Sequence, residues 1–159
     1  MRLIVVSGRS GSGKSTALAV LEDAGFNCID NLPAILLKPL VEETLHSSHP
    51  NGTGLAICID ARYNSLSKFT ELFDEIDSTK INCELVFFDA LDETLLKRFS
   101  ETQRPHPLTN KNRDLQEAIK LESKFLDKVS EKADLRIDTS ALTERELRNL
   151  ILDLSLIHI

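Results

Sequence analysis

The chain has 159 residues, of which 42% are hydrophobic and 28% charged, and its formal net charge is −6. That is the size and composition of one globular domain. A domain of this length buries roughly 68–70% of its unfolded surface, so it needs no metal or disulfide staple, and disorder, collagen repeats and disulfide scaffolds are excluded.

The charge is evenly spread, −3 in residues 1–80 and −3 in residues 81–159. Such a balance disfavours RNA or DNA binding by this chain alone, because non-specific binding draws on an excess of Lys and Arg near phosphates. One local exception is the segment 97–113, where Lys97, Arg98, Arg104, Lys111 and Arg113 face only Glu101. It is either a solvated loop or a place where phosphates pass. Cys28, Cys58 and Cys83 lie far apart in apolar runs and read as buried free thiols of a reducing compartment. No run approaches the ~18 apolar residues of a membrane span. The N-terminal MRLIVVSG is too short for a secretory core. The expected location is the cytoplasm.

In chain order, apolar strand runs at Leu3–Val6, Phe26–Ile29, Leu55–Ile59, Leu85–Phe88 and Leu135–Ile137 alternate with helical patterns. The helical patterns are Lys14–Ala24, Pro33–Leu45, Leu66–Ile76, Asp92–Thr102, Asn112–Lys132 and Thr143–Asp153. Strands that are apolar throughout suggest a parallel sheet covered on both faces. Gly25 reads as a C-cap residue, Pro33 as a first-turn proline, and Thr143 with Glu146 as a capping box. His46–Gly54 and Gln103–Lys111 read as loops. Leu154–Ile159 (LSLIHI) is an apolar tail without a cap, set apart from a domain spanning 1–153.

Gly8-Arg9-Ser10-Gly11-Ser12-Gly13-Lys14-Ser15 matches G-x-x-x-x-G-K-[ST] at every fixed position. It lies between a strand and a helix, the context that motif requires. Gly8, Gly11 and Gly13 permit positive φ, so successive N–H groups can form an anion nest, and the helix N-terminus adds its dipole. Lys14 is then expected at the β- and γ-phosphates and the Ser15 hydroxyl on Mg²⁺.

Asp60 ends an apolar strand, where a P-loop domain holds its Walker B carboxylate. Lys14 and Asp60 are therefore the candidate catalytic residues, and Ser15 with Asp60 the candidate Mg²⁺ ligands. Ala61 follows Asp60 in place of an acid that could activate water, so hydrolysis is expected to be slow. Asp30 closes the second strand and is either an acceptor-side carboxylate or a cap for the helix near Pro33. Arg98 and Arg104 are either phosphate-facing lid residues or solvated. His46 and His49 lack companion ligands and read as a polar loop.

GRSGSGKS followed by LEDAGFNCIDNLP resembles the opening of the RapZ/YvcJ family of bacterial RNase adapter and nucleotide-binding proteins. The resemblance continues through Asp60-Ala61-Arg62, Arg104-Pro105-His106-Pro107-Leu108 and Ala133–Ser140. It implies ATP binding at Gly8–Ser15 and a GTP-associated segment at Asp60, Ala61, Arg62 and Tyr63, with Tyr63 standing between Arg62 and Asn64. Members that this chain resembles present a small RNA controlling glucosamine-6-phosphate synthesis to an endonuclease. They bind RNA mainly through a C-terminal domain, which the resemblance does not reach here.

The expected fold is α/β, a P-loop NTPase three-layer sandwich with a five-stranded parallel sheet in the kinase-like order 2-3-1-4-5. The leading reading is a regulatory ATP- or GTP-binding domain of an RNase adapter. The rival is a small-molecule kinase using Asp30, Arg98 and Arg104. A third is an oligomerisation or docking module with a vestigial site; a homo-oligomer is the candidate assembly. No N-K-x-D motif is present to select guanine.

Overall fold

Successive residues of a strand point to opposite faces, so a run such as Leu3–Val6 settles only where both faces are covered. The computed structural model describes residues 2–46, 54–59, 68–76 and 81–157. Its strands are β1 (Arg2–Gly8), β2 (Phe26–Leu32), β3 (Gly54–Ile59), β4 (Asn82–Asp89) and β5 (Leu135–Asp138). They form one sheet in the order β2-β3-β1-β4-β5, with every pair parallel. The described helices are α1 (Lys14–Asp23), α2 (Leu37–His46), α3 (Phe69–Asp74), α4 (Asp92–Thr102), α5 (Leu115–Lys132) and α6 (Glu144–Ile157).

Two apolar layers follow from the alternation. Leu3, Val5, Ile57 and Leu85 pack with Leu37 and Val41 of α2, Phe69 of α3, and Leu126 and Val129 of α5. Ile4, Val6, Ala56 and Val86 pack with Leu18 and Leu21 of α1 and with Leu147 and Ile151 of α6. Each fully buried side chain of this kind contributes roughly 1.5–3 kcal/mol. The three-layer α/β arrangement and its strand order are as the sequence predicts. α4 lies beyond this frame, with Leu95 and Phe99 against Ile119 of α5.

Several ends differ from the sequence reading, each for a local reason. Pro33 is extended and precedes a short 3-10 turn (Ala34–Leu36), so α2 begins at Leu37. β2 continues past Ile29 through an irregular step, where Asn31 has φ 51°. α5 starts at Leu115 because the Asp114 carboxylate accepts the Glu117 N–H at 2.8 Å and caps it. α6 runs on to Ile157, and Arg2 donates from its guanidinium to the carbonyls of Ser155 (2.8 Å) and Leu154 (3.2 Å). Of the three free thiols only Cys58 is fully buried. No helix among the described residues is long and apolar enough to cross a membrane.

Candidate functional site

β1 ends in Gly8, a position where only glycine fits. Its φ is 143°, and a Cβ there would lie 2.2 Å from the carbonyl oxygen of Phe88. The chain then turns through Gly11 (φ 84°) and Gly13 (φ 108°) into α1. No side chain caps α1, and its first turn holds no acid, so its positive end is left open to solvent.

Ser10, Gly11, Ser12, Gly13, Lys14 and Ser15 line one wall of a pocket of about 690 Å³. Lys14 donates from Nζ to the Gly8 carbonyl at 2.8 Å and so lies folded along the loop. Ser15 is exposed. Gly8 and Arg9, also in the motif, sit behind the pocket. The buried Arg9 guanidinium donates to the Ala90 (3.2 Å) and Ile119 (3.0 Å) carbonyls and pairs with Asp89 and Asp92. It ties the loop to β4 and α5.

Thr139, at the end of β5, holds the loop from the other side. Its Oγ1 donates to the Ser12 carbonyl at 2.7 Å. Arg98 donates to the Gly11 carbonyl (2.9 Å) and to the Thr139 carbonyl (2.8 Å), so it is neither free nor merely solvated. Leu142, Thr143 and Leu147 form a partly apolar wall beside Gly13. Thr143 and Glu146 make the reciprocal capping box, at 3.2 and 3.1 Å.

Across the pocket stand Asp30 and Asn31, with Cys58 in the floor and Arg104, Pro105 and Pro107 at the rim. Asp30 caps no helix; its carboxylate accepts the neighbouring Asn31 N–H at 2.8 Å. Burial pushes the Cys58 thiol up to about 11 despite the Lys14 charge, so it is a neutral thiol and not a nucleophile. Asp60, Ala61, Arg62, Tyr63 and His49 lie outside the described residues.

Two residues that the sequence reading did not single out back the loop. Glu122 of α5 and His106 of the Pro-rich loop are both buried. Glu122 accepts the Ser10 N–H at 2.7 Å and the Ser10 O–H at 2.6 Å. His106 Nε2 faces Glu122 Oε1 at 3.3 Å, within ion-pair reach but short of hydrogen-bond geometry. Burial works to raise the Glu122 carboxyl, but His106, Ser10 and the Lys14 charge outweigh it and hold the group below its ordinary range. The signal was present in the sequence: Glu122 occupies the apolar stripe of Ala118, Ile119, Leu126 and Val129.

The residues present fit a magnesium nucleotide. Positive-φ glycines, one of them (Gly8) with backbone where a Cβ would lie, an uncapped helix start and a lysine folded over the loop form an anion cradle. No cluster of three His, Cys, Asp or Glu that could hold a metal exists among the described residues. Mg²⁺ keeps several waters and is held through substrate phosphates with few protein oxygens, of which the Ser15 hydroxyl would be one, as the hydroxyl of a P-loop is. The ion would supply charge neutralisation at the phosphates.

Sheet order, loop and helix start together define a P-loop kinase-like α/β domain. The chain matches the RapZ-like N-terminal domain model over residues 1–155 and belongs to that family. It is 54% identical over 153 residues to a nucleotide-binding protein of Pseudomonas putida strain GB-1, covering 95% of this chain and 54% of the relative. A nucleotide-binding protein of Azotobacter vinelandii strain DJ is 54% identical over 151 residues, 94% of this chain and 53% of its own. The chain therefore spans about half the length of the curated relatives it matches.

Among solved structures, shikimate kinase from Acinetobacter baumannii superposes with a TM-score of 0.61 at 18% identity, covering 97% of this chain and 92% of its own. The YorR protein of Bacillus subtilis, solved with phosphorylated GDP, gives 0.62 at 16% identity, covering 96% and 94%. At such identities the likeness concerns the fold.

Proposed function

We propose that the pocket binds Mg·ATP or Mg·GTP. In this reading the domain is the regulatory half of an RNase adapter that modulates processing of a small RNA controlling glucosamine-6-phosphate synthesis. The observation that carries the nucleotide part is the Gly8–Ser15 loop, open to a 690 Å³ pocket with Lys14 and Ser15 on its wall. Family membership supports the adapter role, and the net charge of −6 argues against RNA binding by this chain alone. Hydrolysis is at most weak, since the residue after Asp60 in the sequence is Ala61 and not an acid that could activate water.

Isothermal titration with Mg·ATP and Mg·GTP, followed by phosphate-release assays, tests the nucleotide part. Saturable binding is expected, with turnover far below the ~10 s⁻¹ typical of enzymes. A gel-shift titration of this chain with the small RNA is expected to show no complex at physiological salt. A tight, specific complex would move RNA recognition into this domain.

One observation favours the kinase reading: Asp30 is an exposed carboxylate on the pocket wall and caps nothing. Rapid ADP formation with a hydroxyl acceptor, lost in Asp30→Asn, would establish the kinase and displace the regulatory reading.

A further inference from the structure

Glu122 is costly where it stands. A buried carboxylate loses its hydration and must be repaid by neighbours. The only basic side chain within 4 Å of it among the described residues is His106, at 3.3 Å. It also lies directly behind a loop whose amides are arranged for anions, so its charge opposes any phosphate bound there. What it gains is a three-way junction: α5 carries it, the phosphate loop donates to it twice through Ser10, and the Pro-rich loop faces it with His106.

The His106 end is equally fixed. Its Nδ1 accepts the Leu108 N–H at 3.1 Å, which assigns the ring proton to Nε2, the nitrogen that faces Glu122. The ring packs on Phe99 with centroids 5.1 Å apart, and the His106 carbonyl accepts both the N–H and the hydroxyl of Thr109. Two residues earlier, Arg104 stands at the pocket rim. Gln103, in the left-handed region at φ 54°, closes α4 and turns the chain toward it. Arg104 is exposed, and its guanidinium has no hydrogen-bond or ion-pair partner among the described residues.

We propose that Glu122 is a positioning residue which, through Ser10 and His106, locks the Pro-rich loop to the phosphate loop. Arg104 is thereby held where it recognises the terminal phosphate of a nucleoside triphosphate. The inference rests on the nucleotide reading above and adds discrimination between tri- and diphosphate. A guanidinium suits this because it pairs with phosphate oxygens through two parallel N–H donors.

The test is a double-mutant cycle on Arg104→Ala and Glu122→Gln, reading Kd for Mg·ATP and Mg·ADP (and for the guanine pair) by titration. Alone, Arg104→Ala is expected to weaken the triphosphate at least tenfold more than the diphosphate. In the Glu122→Gln background the same change is expected to cost less than threefold, because the arginine is no longer held in place. Non-additivity of this kind is the mark of coupled residues, and a merely structural glutamate would not produce it. Equal losses for both nucleotides, or strictly additive effects, would overturn the proposal while the nucleotide reading stands. A wild-type domain that binds neither nucleotide would remove both. Should Glu122→Gln fail to fold, His106→Asn cuts the same junction and completes the cycle.

Discussion

Gly8 and Gly11 lie in one loop with positive φ, yet a methyl group meets very different surroundings at the two. At Gly8 it would meet backbone, the Phe88 carbonyl oxygen at 2.2 Å, and nothing there can move aside. At Gly11 it would meet the Phe99 ring at 3.1 Å, a side chain that can give way. Gly8→Ala is expected to cost about 3 kcal/mol or more, and Gly11→Ala about 1–2 kcal/mol, by urea denaturation. Equal costs would mean that the close approach of β1 to β4 is misjudged. Glu122 allows a second test. Its folded pKa is depressed below an unfolded value near ~4.3, so its ionisation contributes stability above that pH, lost as pH falls through the folded value. Wild type should lose more stability than Glu122→Gln between pH 7 and pH 3. Parallel curves would show that the carboxyl is not held ionised.

Helix ends show what the sequence discloses and what it conceals. The Thr143–Glu146 box and the Gly25 stop are local patterns, legible because both partners lie within four residues. Asp114 is a cap of the same local kind, and Asp114→Ala should lower stability by about 1 kcal/mol, or 2–4 °C in Tm. By contrast, Arg2 ends α6 from across the chain, through Ser155 and Leu154, and no short-range pattern announces it. Arg2→Met is expected to destabilise by roughly 2 kcal/mol, since charged hydrogen bonds to buried carbonyls are lost. An unchanged Tm would mean that the last turn of α6 needs no such support. The site divides in the same way. The glycine-lysine-serine loop is one contiguous string and readable. The Ser10–Glu122–His106 junction joins residues over a hundred positions apart in sequence, and the only hint was a carboxylate in an apolar stripe. Arg98, which lines the pocket, is also a clamp, a role hidden in the sequence because its partners, Gly11 and Thr139, come from two other loops.

At the scale of the whole molecule, the site gathers where the strands end at their C-terminal side. β1 delivers the loop, β5 delivers Thr139, α4 delivers Arg98 and the Pro-rich loop delivers Arg104. The net charge of −6 gives the domain no overall excess of Lys and Arg with which to grip RNA by itself. The direct test is thermal melting with and without Mg·ATP and Mg·GTP, on wild type and on Lys14→Ala. With ligand a hundredfold above Kd, stabilisation should reach about 2.7 kcal/mol. For a chain of this length that is a shift of roughly 5–11 °C. The expected result is such a shift in wild type and its loss in Lys14→Ala, whose unliganded melt stays cooperative. A wild type that melts cooperatively with no shift, or a Lys14→Ala variant that shifts as far, would contradict a working phosphate loop.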